Sequence, residues 1–313
     1  MRAIIYKDYG GPDVLHLVEL PASKPAKDEV VIRVLAAGVN PIDARLRAGE
    51  MKFLLPGGFP RIPGYDVAGV IEECSGNCTL PKGTRVMAFL DSKYGGAYAE
   101  FANCSESSLA AIPDSMSFEE ASAMPLAAST ALQSLRDHGQ IKPQVEVLIN
   151  GASGGVGSFA VQIAKAHGAR VTGVASGKHE TFVRSMGADD FIDYELQDFI
   201  DMDRRWHIIF DAAGKSTFSD ARKVLTRNGT FVSTEPNLRG LIVSLVTWPC
   251  KQKGRVMLAR SRADDLRELV RLYSAGLLQV SIAEVFSLED ATKAHEKLEK
   301  GGFCGKLVIR SGE

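Results

Sequence analysis

The stretch Asn150-Gly151-Ala152-Ser153-Gly154-Gly155-Val156-Gly157 carries the strongest chemical signal in the chain. It follows a β-branched run, Val145-Glu146-Val147-Leu148-Ile149, and precedes a helix-forming one, Phe159-Ala160-Val161-Gln162-Ile163-Ala164-Lys165-Ala166. Read as Ala152-x-Gly154-x-x-Gly157, it has the spacing of a loop that cradles a pyrophosphate, with alanine at the first position. The missing side chain at Gly154 lets the backbone approach the anion, and at Gly157 it lets the helix pack on the strand. N–H groups at the helix start face the anion, where the helix dipole favours negative charge. The expected binders are Ser153, Gly154, Gly155, Val156 and Gly157. A glycine-rich turn without a ligand is the alternative. The strand before, the helix after and the further strand-like units favour the site.

The next strand-like run ends in Ala175-Ser176-Gly177-Lys178-His179. No Asp or Glu stands at its tip, where a carboxylate would take the ribose hydroxyls of NAD. Ser176 can donate a hydrogen bond, Lys178 adds positive charge, and Tyr194 follows the strand after. Such a set suits a 2′-phosphate, so NADPH is the expected cofactor. A merely solvated Lys178 is the competing reading.

Other chemistry is thinner. His16, His138, His167, His179, His207 and His295 show no metal or triad spacing. The 5 cysteines are too few for a disulfide scaffold and odd in number, so reduced thiols are expected. Cys74 and Cys78 have no histidine nearby to complete a zinc site, and no metal is expected. Lys+Arg total 37 and Asp+Glu 38, which argues against a broad nucleic-acid surface while leaving room for a local basic patch. No apolar run reaches the roughly 20 residues that span a bilayer. Met1-Arg2-Ala3-Ile4-Ile5-Tyr6 reads as a strand and not as a signal or transit segment, so the expected location is cytoplasmic.

The elements that must position these residues fall into three stretches. At 313 residues the chain is long enough for two domains. Up to about residue 110 it is rich in strands and turns, as in Val30–Ala37, Val67–Glu73 and Arg85–Leu90. The irregular connections suggest a small antiparallel barrel or sandwich. The middle alternates strands with helices, with further strands at Arg170–Ala175, Phe191–Tyr194, His207–Asp211 and Gly229–Ser233. That alternation, with continuously apolar strands, is the pattern of a parallel sheet covered on both faces. In the tail, Leu266, Leu269, Val270 and Tyr273 share a helical face before Gly276. Ser287-Leu288-Glu289-Asp290 opens a second helix, and Gly305–Ile309 closes the chain as a strand.

Several segments together resemble one family. They are Gly38-Val39-Asn40-Pro41-Ile42-Asp43, Ile62-Pro63-Gly64-Tyr65-Asp66-Val67-Ala68-Gly69, Gly95-Gly96-Ala97-Tyr98-Ala99-Glu100-Phe101, Thr130-Ala131-Leu132, the phosphate loop, Phe210-Asp211-Ala212-Ala213-Gly214 and Gly305-Lys306. Singly weak, in this order they are specific. The chain resembles the zinc-independent quinone-oxidoreductase branch of the medium-chain dehydrogenase/reductase superfamily over almost its whole length. The likeness is to members that reduce quinones, alkenals and oxidised-lipid ketols.

The resemblance implies an α/β protein with a GroES-like β-rich catalytic domain and a Rossmann domain with a doubly wound parallel sheet. The catalytic domain would take residues 1–122 and 262–313, with NADPH held by 123–261. Zinc-dependent members have Cys where Asn40 stands and Gly-His-Glu where Gly64-Tyr65-Asp66 stands, so a zinc alcohol dehydrogenase is disfavoured. The implied activity is hydride transfer from NADPH to a quinone or to the β-carbon of an enone or alkenal. A cofactor-binding scaffold with little turnover is the alternative. Asn40 and Tyr65, at the two vacated ligand positions, are the expected catalytic residues. Asn40 could also hold the nicotinamide, Thr130 its ribose, and Ala213 and Gly214 join the cofactor site. Asp43 and Asp66 are read as bracing turns.

The run Leu241–Trp248, followed by Lys251, Lys253 and Arg255, reads as a pocket wall or subunit contact, with a membrane-surface helix or a buried helix as the alternatives. The expected partner is a small lipophilic carbonyl or quinone, with no nucleic acid and no integral membrane association. A homodimer through Arg255–Ala259 is also expected.

Overall fold

The computed structural model describes residues 1–313 except 23, 54, 77 and 313. The N-terminal part contributes β1 (Arg2–Ile5), β2 (His16–Glu19), β3 (Glu29–Val39), α1 (Pro41–Arg47), β4 (Asp66–Cys74), β5 (Arg85–Phe89), β6 (Phe101–Ser105), β7 (Leu109–Ala111), α2 (Phe118–Ala123) and α3 (Pro125–Gln133). The middle adds β8 (Glu146–Asn150), α4 (Gly155–Ala166), β9 (Arg170–Ala175), α5 (Glu180–Ser185), β10 (Asp190–Asp193), β11 (Trp206–Asp211), α6 (Phe218–Ala221), β12 (Leu225–Ser233), α7 (Leu238–Val246) and β13 (Lys253–Val256). The tail supplies α8 (Ala263–Ser274), β14 (Ile282–Ser287), α9 (Ala291–Lys300) and β15 (Lys306–Arg310).

Six middle strands form one sheet in the order β10-β9-β8-β11-β12-β13, and every pair in it is parallel. Its central strands bury both faces. Val147, Leu148 and Ile149 of β8 are all fully buried, as are Ile209 and Phe210 of β11. That explains why these strands read as unbroken apolar runs. The strand order reverses between β8 and β11, and a crevice opens beyond their C-terminal ends at such a switch point.

The second sheet runs β14-β15-β3-β4-β5-β7, with β6 on β3. Its pairs are antiparallel except β14 with β15. The end of the chain is thus built into the sheet begun by its start. The β15–β3 register sets Leu307 opposite Val39, which brings Lys306 beside Asn40. Here Lys306 meets residues more than 260 positions away, Val39 and Asn40.

In the tail, α8 buries Leu266, Leu269 and Leu272, and Gly276 beyond it adopts a φ of 71°, as a C-terminal glycine does. Ser287 caps the short 3-10 turn Leu288–Asp290 that leads into α9 by accepting the Asp290 N–H.

Two expectations change. Cys74 and Cys78 are joined as a disulfide, whereas reduced thiols were expected. The turn closing β4 sets their Cα atoms 6.3 Å apart, within reach of a bridge. Asn77, inside that turn, lies outside the described residues. The run at 241–248 is also no buried helix. Leu238 is 75% exposed, Leu245 77% and Trp248 73%. Only one face of α7, at Gly240 and Val243, packs on β13. The apolar run is longer than the single stripe the edge strand can cover. Among the described residues no helix is long and apolar enough to cross a membrane.

Candidate active site

The loop after β8 reverses the chain through Gly151, whose φ of 84° suits glycine. Gly154 caps α4 from extended backbone. A Cβ at Gly157 would sit 2.0 Å from the Gly151 carbonyl oxygen, so only glycine lets α4 start so close to the strand. At Gly154 a Cβ would meet nothing nearer than that oxygen at 3.5 Å, so its outer face is open to a ligand. These amides at the start of a 12-residue helix form a cradle that fits a dinucleotide pyrophosphate. Ser153 offers its carbonyl to the Gly305 N–H at 3.0 Å, which ties the loop to the other lobe. Ala213 packs on Gly151, and Gly214 turns with a φ of 65°. Ala212, just before them, lines the cleft together with Gly154 and Val156.

At the tip of β9 the picture is more crowded than the sequence suggests. Ser176 is buried and its hydroxyl donates to Glu195 Oε1 at 2.7 Å. Asp193 reaches the same turn, since a Cβ on Gly177 would stand 2.3 Å from its Oδ2. The linear sequence shows no acid at the tip of β9, but β10 pairs with β9 and brings Asp193 from its end and Glu195 from the turn after it. Lys178 and Tyr194 are both exposed near this tip.

The floor of the cleft is a buried polar cluster. Asn40, 1% exposed, caps α1, and its N–H donates to Asp43 Oδ2 at 2.9 Å. Its Nδ2 donates to Asp66 Oδ2 at 2.9 Å. Its Oδ1 accepts from Lys306 Nζ, which also donates to the Val39 carbonyl at 2.9 Å. Asp66 takes the Leu126 N–H at 2.8 Å on its other oxygen and lies 3.8 Å from the Lys306 ammonium. Tyr98 donates to Asp43, and His295 Nε2 lies 3.3 Å from the Tyr98 oxygen.

Burial dominates the electrostatics. Removal from water pushes Asp66 up to about 6, with Lys306 and Asn40 pulling the other way. It pushes Asp43 up to about 7 and holds His295 neutral, down to about 3. It also lowers Lys306, against the pull of Asp66 and Asp43.

The other expected residues sit differently. Tyr65 is buried against Phe89, and its hydroxyl donates to the Lys93 carbonyl at 3.0 Å. Thr130 spends its hydroxyl on the Leu126 carbonyl one turn earlier, at 2.7 Å. Lys306 was not singled out for a role in the sequence. Its signal was there in a lysine opening an apolar strand, Lys306-Leu307-Val308-Ile309. Its stem passes under the phosphate loop, where a Cβ on Gly155 would be 2.6 Å from Lys306 Cδ. A cavity lined by Val39, Asn40, Gly154, Gly155, Phe303 and Lys306 joins the loop to the polar floor.

Comparison with known proteins accords with this geometry. Residues 26–114 match the alcohol dehydrogenase GroES-like domain and 186–309 the zinc-binding dehydrogenase family. The chloroplastic quinone-oxidoreductase QR1 of Triphysaria versicolor is 33% identical over 322 residues, covering 99% of this chain and 98% of that protein. The chloroplastic NADPH-dependent alkenal/one oxidoreductase of Arabidopsis thaliana is 36% identical over 327 residues, 99% of this chain and 79% of that one. The solved quinone oxidoreductase of Escherichia coli complexed with NADPH has a TM-score of 0.85 at 27% identity, covering 99% of this chain and 100% of that chain. Fold and site together define a nicotinamide-dependent oxidoreductase with a GroES-like and a Rossmann domain. The chain belongs to the medium-chain dehydrogenase/reductase superfamily, among its quinone oxidoreductases.

Proposed function

We propose that the protein reduces quinones, or the β-carbon of α,β-unsaturated carbonyl compounds, with NADPH and without zinc. The observation that carries this is the Asn40 amide, clamped between Asp66 and Lys306 at the floor of a cleft that begins at the phosphate loop. The bound dihydronicotinamide supplies the hydride, and the protein supplies orientation. Asn40 has two amide hydrogens, and Asp66 takes one. The other serves to fix the cofactor's carboxamide or the substrate oxygen where negative charge develops. Lys306 acts through Asn40 as a positioning residue. Its buried ammonium also supports the zinc-free reading, because it puts a fixed cation among Asn40, Val39 and Asp66. The hydrogen bond from Tyr65 to Lys93 favours a packing role for that phenol over proton donation.

For the cofactor's identity, Lys178 and Tyr194 are the exposed groups suited to a 2′-phosphate, with Ser176 turning from Glu195 to meet it. NADPH in the names of the relatives above supports the same choice. We place the catalytic domain at 1–122 and 262–313 and the cofactor domain at 123–261.

The test follows NADPH oxidation across a panel of quinones and enones, in chelator-treated protein. Turnover should survive chelation, and Lys178→Ala should lower the NADPH-to-NADH ratio of kcat/KM by about 10-fold, the worth of one charge-assisted contact. Cofactor binding without turnover would mark a scaffold. Loss of rate on chelation, or an unmoved ratio, would remove the corresponding part of the proposal.

We also infer a homodimer. Among the described residues β13 pairs only with β12 and leaves its outer edge without a strand, beside the exposed apolar face of α7. Sedimentation velocity over a dilution series should give twice the chain mass, and Leu245→Glu should shift it to monomer. A monomer throughout for the unaltered chain sinks the inference.

A further inference from the structure

The connection from α9 back to β15 is Gly301-Gly302-Phe303-Cys304-Gly305. It lies on the phosphate loop, for Gly305 donates to the Ser153 carbonyl and forms a parallel bridge with Gly154. That placement carries Cys304 across the cleft to the turn after β9. Its Sγ lies 3.0 Å from His179 Nδ1. Lys178 reaches the same connection, since a Cβ on Gly302 would be 4.0 Å from its Nζ. The other free thiols differ. Cys104 is buried, while Cys250 is exposed and its thiol faces the Val246 carbonyl at 3.8 Å, with no imidazole partner among the described residues.

A thiol attacks as its thiolate, and a neutral imidazole in contact is the usual means of making one. Desolvation first, then the Lys178 charge, lowers the pKa of His179. Burial raises that of Cys304. The pair therefore rests as thiol and imidazole, with the proton still on sulfur and a base beside it. The hydride transfer proposed above uses neither group.

We propose that Cys304 and His179 form a reactive thiol–imidazole pair at the edge of the dinucleotide cleft, alkylated by α,β-unsaturated carbonyl compounds. The link to this class of electrophile rests on the substrate reading given above. His179 Nδ1 takes the thiol proton while the sulfur pair forms a C–S bond to the β-carbon. The C=C π pair moves to the carbonyl as an enolate, and the imidazolium returns the proton to the α-carbon. Nothing is oxidised or reduced, and the product is a thioether. The adduct sits between the phosphate loop and Lys178, so alkylation weakens dinucleotide binding. Bound dinucleotide, in turn, shields the thiol.

The experiment treats the full chain with acrolein without cofactor and follows each cysteine by peptide mass spectrometry, with Cys250 as internal reference. Cys304 should react at least about 10-fold faster than Cys250, a floor set below the roughly 100-fold or more that a well-positioned base contributes. Saturating NADPH should slow it, and His179→Gln should bring it to the Cys250 rate while leaving Cys250 unchanged. Cys304→Ser should abolish the adduct peptide, and fluorescence titration should show weaker NADPH binding after alkylation of the unaltered chain only. Iodoacetamide, run in parallel, reads the thiol whether or not the protein reduces enones. Fast His179-dependent labelling with no enone turnover overturns the substrate reading and spares the pair. Equal rates at Cys304 and Cys250, or a rate indifferent to His179→Gln, overturn the pair and spare the substrate reading.

Discussion

Replacing Lys306 by methionine should destabilise the fold by about 3 kcal/mol at pH 8 and lower kcat/KM by on the order of 100-fold. The methionine stem fills the same space beneath Gly155, so the loss comes from the missing charge. Asp66, fully buried, would keep the Leu126 and Asn40 hydrogen bonds but lose the cation 3.8 Å away. Asn40 Oδ1 would lose its donor, freeing the amide to rotate at the cleft floor. The removal of the ammonium's own burial cost offsets part of the penalty.

The sign of the pH dependence follows from Asp66. Its folded value already stands above the ordinary carboxylate value, at about 6, because burial disfavours the charge. A raised acid contributes stability that is present below its unfolded value and lost as pH rises through the folded one. Without Lys306 the folded value rises further, so the loss grows over the neutral range. The penalty should therefore shrink on going from pH 8 to pH 5.5. Urea unfolding of both proteins at the two pH values measures it. A difference below about 1 kcal/mol at pH 8, or one that grows on acidification, is incompatible with a charged Lys306–Asp66 contact.

Gly157→Val should abolish dinucleotide binding, with an affinity loss of at least about 100-fold, or near 3 kcal/mol. Its Cβ would lie 2.0 Å from the Gly151 oxygen, 2.7 Å from its carbonyl carbon and 2.9 Å from Ala152 Cα. All three are backbone atoms, so the loop and α4 must separate and the amides lose their common focus. A drop of several degrees in Tm should accompany this, since the clash lies where α4 packs against the loop after β8. Gly154→Ala separates geometry from folding. There the Cβ meets only one oxygen, at 3.5 Å, and φ is an ordinary −76°. Tm should hold while NADPH affinity falls by about 10-fold, because the methyl occupies the face offered to the phosphate. Fluorescence titration and thermal unfolding read both variants. Normal binding by Gly157→Val would show that the anion sits elsewhere.

Local features were legible in the residues. The phosphate loop, its flanking strand and helix, and the parallel alternation to β13 follow from periodicity and from glycines where the backbone must pass closely. The β-rich region was recognisable too, but its closure by β14 and β15 was reached through likeness to a family, because no local pattern links strands so far apart. Asn40 was found through that likeness as well, while its clamp by Lys306 was not.

By itself, then, the sequence determined the two kinds of sheet and the glycine-rich loop that starts a helix after β8. Both are written in neighbouring residues, whose spacing alone sets strand, turn and helix start. Tertiary structure alone decided which side chains meet: Lys306 with Asn40, Ser176 with Glu195, Tyr65 with Lys93, Cys304 with His179. It also decided that α7 turns an apolar face outward. Those outcomes depend on strand register and on the packing of lobes across long stretches of chain. A buried charge finds its partner only when the register delivers one, as the Leu307–Val39 pairing delivers Lys306.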